Sequence, residues 1–270
     1  MSYDWISFTT DYGTDDGFVA VCEGVIARIA PVPRVLHVTH TVPAQDVRRG
    51  ASVLAHTVPY LPPAVHLAVV DPGVGTERRG VVLVVAEGLL VGPDNGLLIA
   101  AAEALGGIRE AYQLTEPAYQ LSRVSATFHG RDIFAPAAAH LAAGIGPENL
   151  GPPVDVGTLI RLPEPETLAE EGKLSSEVFA IDSFGNIALA ATGADLDAAG
   201  ATPGTSVHVN IDGRTVNAVV TRTFGDAGPE AYVVYVDSAG RVALAVNGGS
   251  AAADFDATLG DPVLLLFARP

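Results

Sequence analysis

An apolar run, His66-Leu67-Ala68-Val69-Val70, delivers the Asp71 carboxylate and two guanidiniums into the glycine-rich turn Asp71-Pro72-Gly73-Val74-Gly75-Thr76-Glu77-Arg78-Arg79-Gly80. Pro72 restricts the backbone of Asp71, while Gly73 and Gly75 let the turn fold tightly enough for Arg78 to approach the carboxylate. Beside a guanidinium, Asp71 is a hydrogen-bond acceptor for water but a weak general base, so activating that water needs another group. Thr127-Phe128-His129-Gly130-Arg131-Asp132 offers one, because it sets an imidazole immediately before a glycine and a helix start. A structural Asp-Arg bridge and a structural histidine are the plainer alternatives.

Two further polar clusters fall where strands are expected to end: Asp11 with Asp15-Asp16, and Asp94-Asn95. Four clusters at one sheet edge argue for a shared pocket, against the alternative that each caps a helix or closes a turn. Asp11-Tyr12-Gly13-Thr14-Asp15-Asp16-Gly17 lacks both the dinucleotide glycine pattern and the Lys-Ser/Thr pair of a phosphate loop. A carboxylate there would repel phosphate and suits hydroxyls, so Asp11 can accept both hydrogen bonds of a ribose diol. No Gly-x-Ser-x-Gly elbow occurs, and the seven histidines show no close metal spacing with a suitable carboxylate. No metal is therefore expected. In the second half of the chain, Asp182-Ser183-Phe184-Gly185-Asn186, Phe224-Gly225-Asp226, Asp237-Ser238-Ala239-Gly240-Arg241 and Asn247-Gly248-Gly249-Ser250-Ala251 form polar loops. Acid, amide and aromatic groups together fit an amino-acid-like or purine-bearing ligand; turn stabilisation explains each loop singly.

These groups need a scaffold, and the periodicity describes one. Ile6–Thr10, Arg34–Val38 and His66–Val70 read as strands, alternating with helices over Phe18–Ile29 and Gly50–Val58. Gly80–Ala86 and Gly88–Val91 pair across a short turn, a helix runs from Asn95-Gly96 to about Leu105, and Asp132–Ala143 is the last substantial helix. Near-continuous apolar strands between helices predict a mostly parallel sheet covered on both faces, with ligands beyond the carboxyl ends of its strands. Residues 1–158 thus form an N-terminal α/β domain, and the Pro-rich, acidic stretch 159–173 a linker. Seven short runs within 174–270, separated by Gly, Asp and Asn, predict a smaller antiparallel, barrel-like β domain.

Composition narrows the partners. With 31 acidic against 15 basic residues and a net charge of −16, the chain repels a phosphate backbone, so nucleic acid is excluded as a partner. Cys22 is the only cysteine, which removes any internal disulfide or cysteine-built metal cluster. The first eight residues lack a basic and a long apolar region, and no apolar stretch of membrane length follows. Cytoplasm is the expected location, with no membrane partner.

The strings Thr9-Thr10-Asp11-Tyr12-Gly13-Thr14-Asp15-Asp16, Val70-Asp71-Pro72-Gly73-Val74-Gly75-Thr76, Gly92-Pro93-Asp94-Asn95-Gly96, Thr127–Asp132, Asp182–Asn186 and Asn247–Ala251, in that order, resemble the adenosine-forming S-adenosylmethionine hydrolases. These are also described as S-adenosylmethionine hydroxide adenosyltransferases and are related to fluorinating and chlorinating enzymes. The resemblance covers essentially the whole chain. It implies a homotrimer binding substrate between the N-terminal domain of one subunit and the C-terminal domain of its neighbour. It assigns Asp71, Arg78 and His129 to positioning water, Asp11 to the ribose hydroxyls, Asp182 and Ser238 to the methionine end, and Asn186 and Phe224 to the adenine side. Ala251 falls in the loop whose backbone reads the base; Asp94, Asn95 and Asn247 join the substrate-binding candidates from their motifs. The halogenating relatives have aromatics at the positions of Asp71 and Gln45, and some relatives have a larger basic residue at that of Ala239.

The implied reaction is displacement at C5′ of S-adenosyl-L-methionine by water or hydroxide, giving adenosine and L-methionine without a cofactor. An ionised Asp71 repels a buried halide and accepts from water. The alternatives are 5′-halogenation by a halide-dependent adenosyltransferase, a non-catalytic S-adenosylmethionine or adenosine sensor, and a metal-dependent hydrolase built on Asp11, Asp15 and Asp16.

Overall fold

A computed structural model describes residues 2–268, and the chain divides into two compact units, residues 1–162 and 163–270. In the first unit the strands are β1 (Trp5–Thr10), β2 (Arg34–Thr39), β3 (Ala64–Val69), β4 (Gly80–Val85), β5 (Gly88–Pro93) and β6 (Glu110–Gln113). Its helices are α1 (Phe18–Ile29), α2 (Val47–Thr57), α3 (Ile99–Ala104) and α4 (Ala135–Ala142). The sheet order is β2-β1-β3-β5-β4-β6, with β2, β1, β3 and β5 parallel and β4 antiparallel to both its neighbours.

Burial on both faces accounts for the apolar strands. Val65, Leu67 and Val69 of β3 face a core with Cys22 and Ile26 of α1 and Ala138 and Leu141 of α4. The alternate residues Ala68 and Val70 face Ala51 and Leu54 of α2 and Ala101 and Ala102 of α3. His66 on the same strand pairs with Ser7 Oγ at 2.8 Å, and burial pushes its pKa down to about 4, so it is a neutral core histidine. Because four strands run parallel, Asp11, His40, Val70-Asp71 and Asp94 all emerge at one carboxyl edge. The register pairs Thr10 with Val69, which brings the turns after β1 and β3 side by side.

Several element bounds differ from the sequence expectation. Helix α2 begins at Val47 rather than Gly50, because the Asp46 side chain accepts from the Arg49 amide at 2.8 Å and caps it. Helix α3 starts at Ile99, since Gly96 takes a φ of 95° that no helix accommodates. The expected helix over 132–143 is two elements, a π-helical turn at Gly130–Phe134 and then α4. Such turns insert an extra residue and re-aim the side chains around them.

The second unit contains β7 (Leu168–Glu170), β8 (Lys173–Ile181), β9 (Ile187–Thr192), β10 (Ser206–Ile211), β11 (Arg214–Val220), β12 (Tyr232–Val236), β13 (Arg241–Val246) and β14 (Pro262–Phe267). Pairing of β14 with both β10 and β8 closes seven strands into a barrel, and β7, within the 159–173 stretch, adds to β8. One pair, β11–β12, is parallel in an otherwise antiparallel barrel. The alternating burial along β8 sends Leu174, Val178 and Ala180 inward. Two short helices, α5 (Gly193–Ala198) and α6 (Ala251–Phe255), complete the unit; Thr192 and Asp195 cap the first reciprocally. Among the described residues, no helix is long and apolar enough to cross a membrane.

Candidate active site

The turn after β3 folds back so that Arg78 meets the acid seven residues before it. Arg78 Nε donates to Asp71 Oδ1 at 3.1 Å, and its Nη2 donates to Asp71 Oδ2. The same Nη2 lies 3.1 Å from Nδ1 of His129, so one guanidinium joins carboxylate and imidazole. Packing fixes this set: the Asp71 and Arg78 side chains are 6% and 7% exposed, and the guanidinium lies over Phe134 of the π-helical turn at 5.2 Å. A Cβ on Gly75 would overlap the carbonyl oxygen of Ala126, and Gly75 also has a φ of 77°. Glycine there allows the Asp71–Arg78 turn to lie against the segment leading to His129.

Arginine offers only donors, so His129 Nδ1 accepts from Arg78 and the neutral ring carries its proton on Nε2. Burial first, then the Arg78 charge, lowers the His129 pKa, partly opposed by Asp71 and Asp132. Asp132 is fully buried, which disfavours its charge, yet Arg131 at 2.5 and 2.9 Å and the Ser125 amide at 2.8 Å outweigh burial and hold its pKa down. That ion pair secures the loop on which His129 sits.

Beside this set lies a cavity of about 560 Å³ lined by Asp11, Tyr12, Phe18, Ser125, Thr127, Phe128 and Arg131. The Gln45 amide donates to Asp11 Oδ2 at 2.8 Å, from a backbone held at a φ of 66°. The Gln45 contribution to the Asp11 carboxylate is therefore a main-chain one. Tyr12, Phe18 and Phe128, which lie outside the candidate set, meet edge to face or tilted at 5.3 to 6.1 Å and form the apolar wall. A Cβ on Gly130 would overlap the Tyr12 hydroxyl, so glycine at that position reserves room for it. Burial first, then nearby anionic groups including Asp11 and Asp71, raises the Tyr12 pKa and keeps the phenol neutral. The sequence signal for Tyr12 was its adjacency to Asp11 alone.

Two candidates take structural partners. Asp94 accepts from Arg79 at 2.5 and 2.9 Å and from the Ile160 amide at 2.9 Å, and Arg79 also donates to the Thr158 carbonyl at 2.7 Å. That network ties the 158–160 segment to the sheet edge. Asn95 donates to the Val70 carbonyl at 2.9 Å and accepts from the Leu97 amide at 3.2 Å, holding the residue before Asp71.

In the second unit Asp182 accepts from the Phe184 and Asn186 amides, both at 2.9 Å, and from the Asn186 side chain at 2.8 Å. Gly185 lies against Ser250, and its carbonyl accepts from the Ala252 amide at 2.9 Å, which joins this turn to the helix that Ala251 begins. Asn247 donates to the Ala227 carbonyl at 2.9 Å. Phe224 stacks obliquely on Tyr235 at 4.8 Å, and burial, then Asp182 and Asp237, pushes the Tyr235 phenol up to about 12. Ser238 and Ala239 occupy the β12–β13 turn, where the Ala239 amide donates to Asp237 at 2.8 Å; Asn247 follows the other end of β13. Among the described residues no group of three or more His, Cys, Asp or Glu could hold a metal ion.

Residues 6–151 match the SAM hydroxide adenosyltransferase N-terminal domain and 176–264 the corresponding C-terminal domain. The (R)-S-adenosyl-L-methionine hydrolase of Salinispora arenicola is 56% identical over 96% of this chain and 97% of that protein. A fluorinase from Actinopolyspora mzabensis is 31% identical over 92% of each chain. Among solved structures, an uncharacterized conserved protein from Thermotoga maritima has a TM-score of 0.90 and 33% identity, covering 97% of this chain and 99% of that one. The protein is an enzyme built on a parallel-rich sheet flanked by helices, with polar groups at the sheet's carboxyl edge, followed by a β-barrel. The chain belongs to the SAM hydroxide adenosyltransferase family.

Proposed function

We propose that this protein hydrolyses S-adenosyl-L-methionine at C5′ to adenosine and L-methionine, and that, like the named relative, it takes the (R) sulfonium epimer. The observation that carries the reading is the single guanidinium bonded to both Asp71 and His129. Water donates a hydrogen bond to Asp71 and attacks C5′ as the C5′–S bond breaks, the sulfur keeping that electron pair and the water's proton leaving by way of the Asp71 carboxylate to solvent; Arg78, held in turn by the neutral His129, fixes that carboxylate's direction. The sulfonium leaves as a neutral thioether, so the leaving group needs no proton, and the protein's work is orientation and desolvation of the nucleophile. Asp11 accepts from the ribose diol. A halide in the water's place meets the Asp71 charge with its own and has no proton to give it.

The same reading assigns Asp182, Ser238 and Ala239 to the methionine end, and Asn186, Phe224, Asn247 and Ala251 to the base. It includes a homotrimer in which one copy's first unit meets a neighbour's second, in the cytoplasm and without a cofactor. A monomer mass in light scattering contradicts the trimer. The activity is tested by incubating purified protein with each sulfonium epimer in heavy-oxygen water containing fluoride and chloride. The expected products are methionine and adenosine labelled at the 5′-hydroxyl, from the (R) epimer. Unlabelled adenosine, a 5′-halo nucleoside or no product overturns the reading.

A further inference from the structure

A second line of titratable groups crosses the first unit outside the Asp71 set. Glu23 of α1 bonds Nε2 of His37 at 2.6 Å, Nδ1 of His37 lies 2.6 Å from Nε2 of His40, and Nδ1 of His40 lies 2.9 Å from Oγ1 of Thr10. Exposure falls along it, from 36% and 41% for the Glu23 and His37 side chains to 8% at His40 and 0% at Thr10. With neutral rings, one arrangement of protons satisfies every link. A carboxylate only accepts, so His37 holds its proton on Nε2; its Nδ1 then accepts from His40 Nε2, and His40 Nδ1 accepts from the Thr10 hydroxyl. Every donor points towards Glu23.

The inner end of this line is fastened to the turn that carries Asp11. The Tyr12 amide donates to Thr10 Oγ1 at 3.2 Å, and the Gly13 amide to the His40 carbonyl at 2.7 Å. His40 also opens the loop whose Gln45 amide holds Asp11 Oδ2. We infer that Glu23, His37, His40 and Thr10 are positioning residues that aim the Asp11 carboxylate, and that uptake of one proton by this line loosens its aim. The inference rests on the reading of Asp11 as the acceptor for a ribose diol.

One added proton, on either ring, makes His40 Nδ1 a donor, because the link between the rings holds one N–H already. That donor faces Thr10 Oγ1, which already accepts from Tyr12. The Thr10 hydroxyl proton is driven to a new direction where no solvent reaches. A second proton would set N–H against N–H between the rings. Burial first, then the neighbouring His37, lowers the His40 pKa, with Glu23 opposing, so burial favours the neutral His40 ring. The groups facing the two rings are Glu23 from α1, each ring from the other, and the uncharged Thr10 and Phe8 from β1, the latter edge-on to His40 at 4.9 Å.

The test combines nitrogen-15 shifts of labelled histidine with adenosine-release kinetics from pH 5 to 8 for the wild type, Glu23→Gln and His40→Gln. At pH 8 both rings should show the Nε2–H tautomer. The wild-type KM should rise about tenfold as the pH falls to 5, with kcat changing less. Glu23→Gln should move that rise to lower pH, because the charge that favours the added proton is gone. His40→Gln should raise KM about tenfold at pH 8 and flatten the profile. An Nδ1–H tautomer at His40, or His40→Gln kinetics that superpose on the wild type at every pH, overturns the inference. Absence of adenosine from every protein, wild type included, overturns the hydrolytic reading instead, and the tautomers alone then decide the relay.

Discussion

Replacing Asp71 by Asn is expected to lower kcat about 10²- to 10³-fold, while KM for the sulfonium substrate stays within about tenfold. The two side chains have nearly the same shape, so the turn can still close. What changes is the polarity of one atom. Both Asp71 oxygens receive donors from Arg78, and an amide nitrogen at either place opposes a donor with a donor. The amide therefore keeps one bond to the guanidinium at most and offers water a weaker, neutral acceptor. The ribose contacts proposed for Asp11 are left alone, which is why the loss should fall on turnover. Single-turnover measurement of adenosine release checks this, and a kcat within threefold of the wild type removes Asp71 from the chemistry. The size follows from the reaction: with a good neutral leaving group, nearly all the catalytic advantage lies in where the water is held.

Much of this site was legible because its residues sit at strand ends. The run His66–Val70 points unambiguously at Asp71, and two glycines in the following turn leave Arg78 free to fold back onto it. His129 was legible for a different reason, as an imidazole between an aromatic and a glycine at the start of a helix. The π-helical turn that aims it was not, because a residue inserted into a helix leaves the apolar spacing nearly unchanged. Asp94 and Asn95 show the opposite limit. An acid and an amide after an apolar strand look the same in sequence whether they face a ligand or, as here, bond Arg79, Ile160 and Val70. Partners 15, 25 and 66 residues away decide between the two. The parallel pairing of β11 with β12 escaped for a related reason, since alternation fixes which face a residue takes and says nothing of strand direction. Tyr12 escaped because an aromatic beside a catalytic-looking acid is ordinary core material until the missing side chain at Gly130 is seen beneath its hydroxyl.

Replacing Arg78 by Leu should reduce both stability and turnover, and the two losses can be separated. The guanidinium is the partner of a side chain only 6% exposed, so its removal leaves the Asp71 carboxylate buried and unpaired. Breaking such a pair from one side costs about 3 to 5 kcal/mol, far more than the net contribution of the intact pair. Urea unfolding should show a drop of that order for Arg78→Leu. In the double variant Asp71→Leu with Arg78→Leu no charge is stranded, and apolar side chains occupy the space against Phe134, so much of the lost stability should return. Turnover should not return with it. His129 loses the donor that fixes its proton on Nε2 in both proteins, and the double variant also lacks an acceptor for water. A double variant as unstable as the single one would mean that packing, rather than a stranded carboxylate, causes the loss. A double variant that regained both stability and adenosine release would mean that the three side chains hold the turn together and that the water is positioned elsewhere.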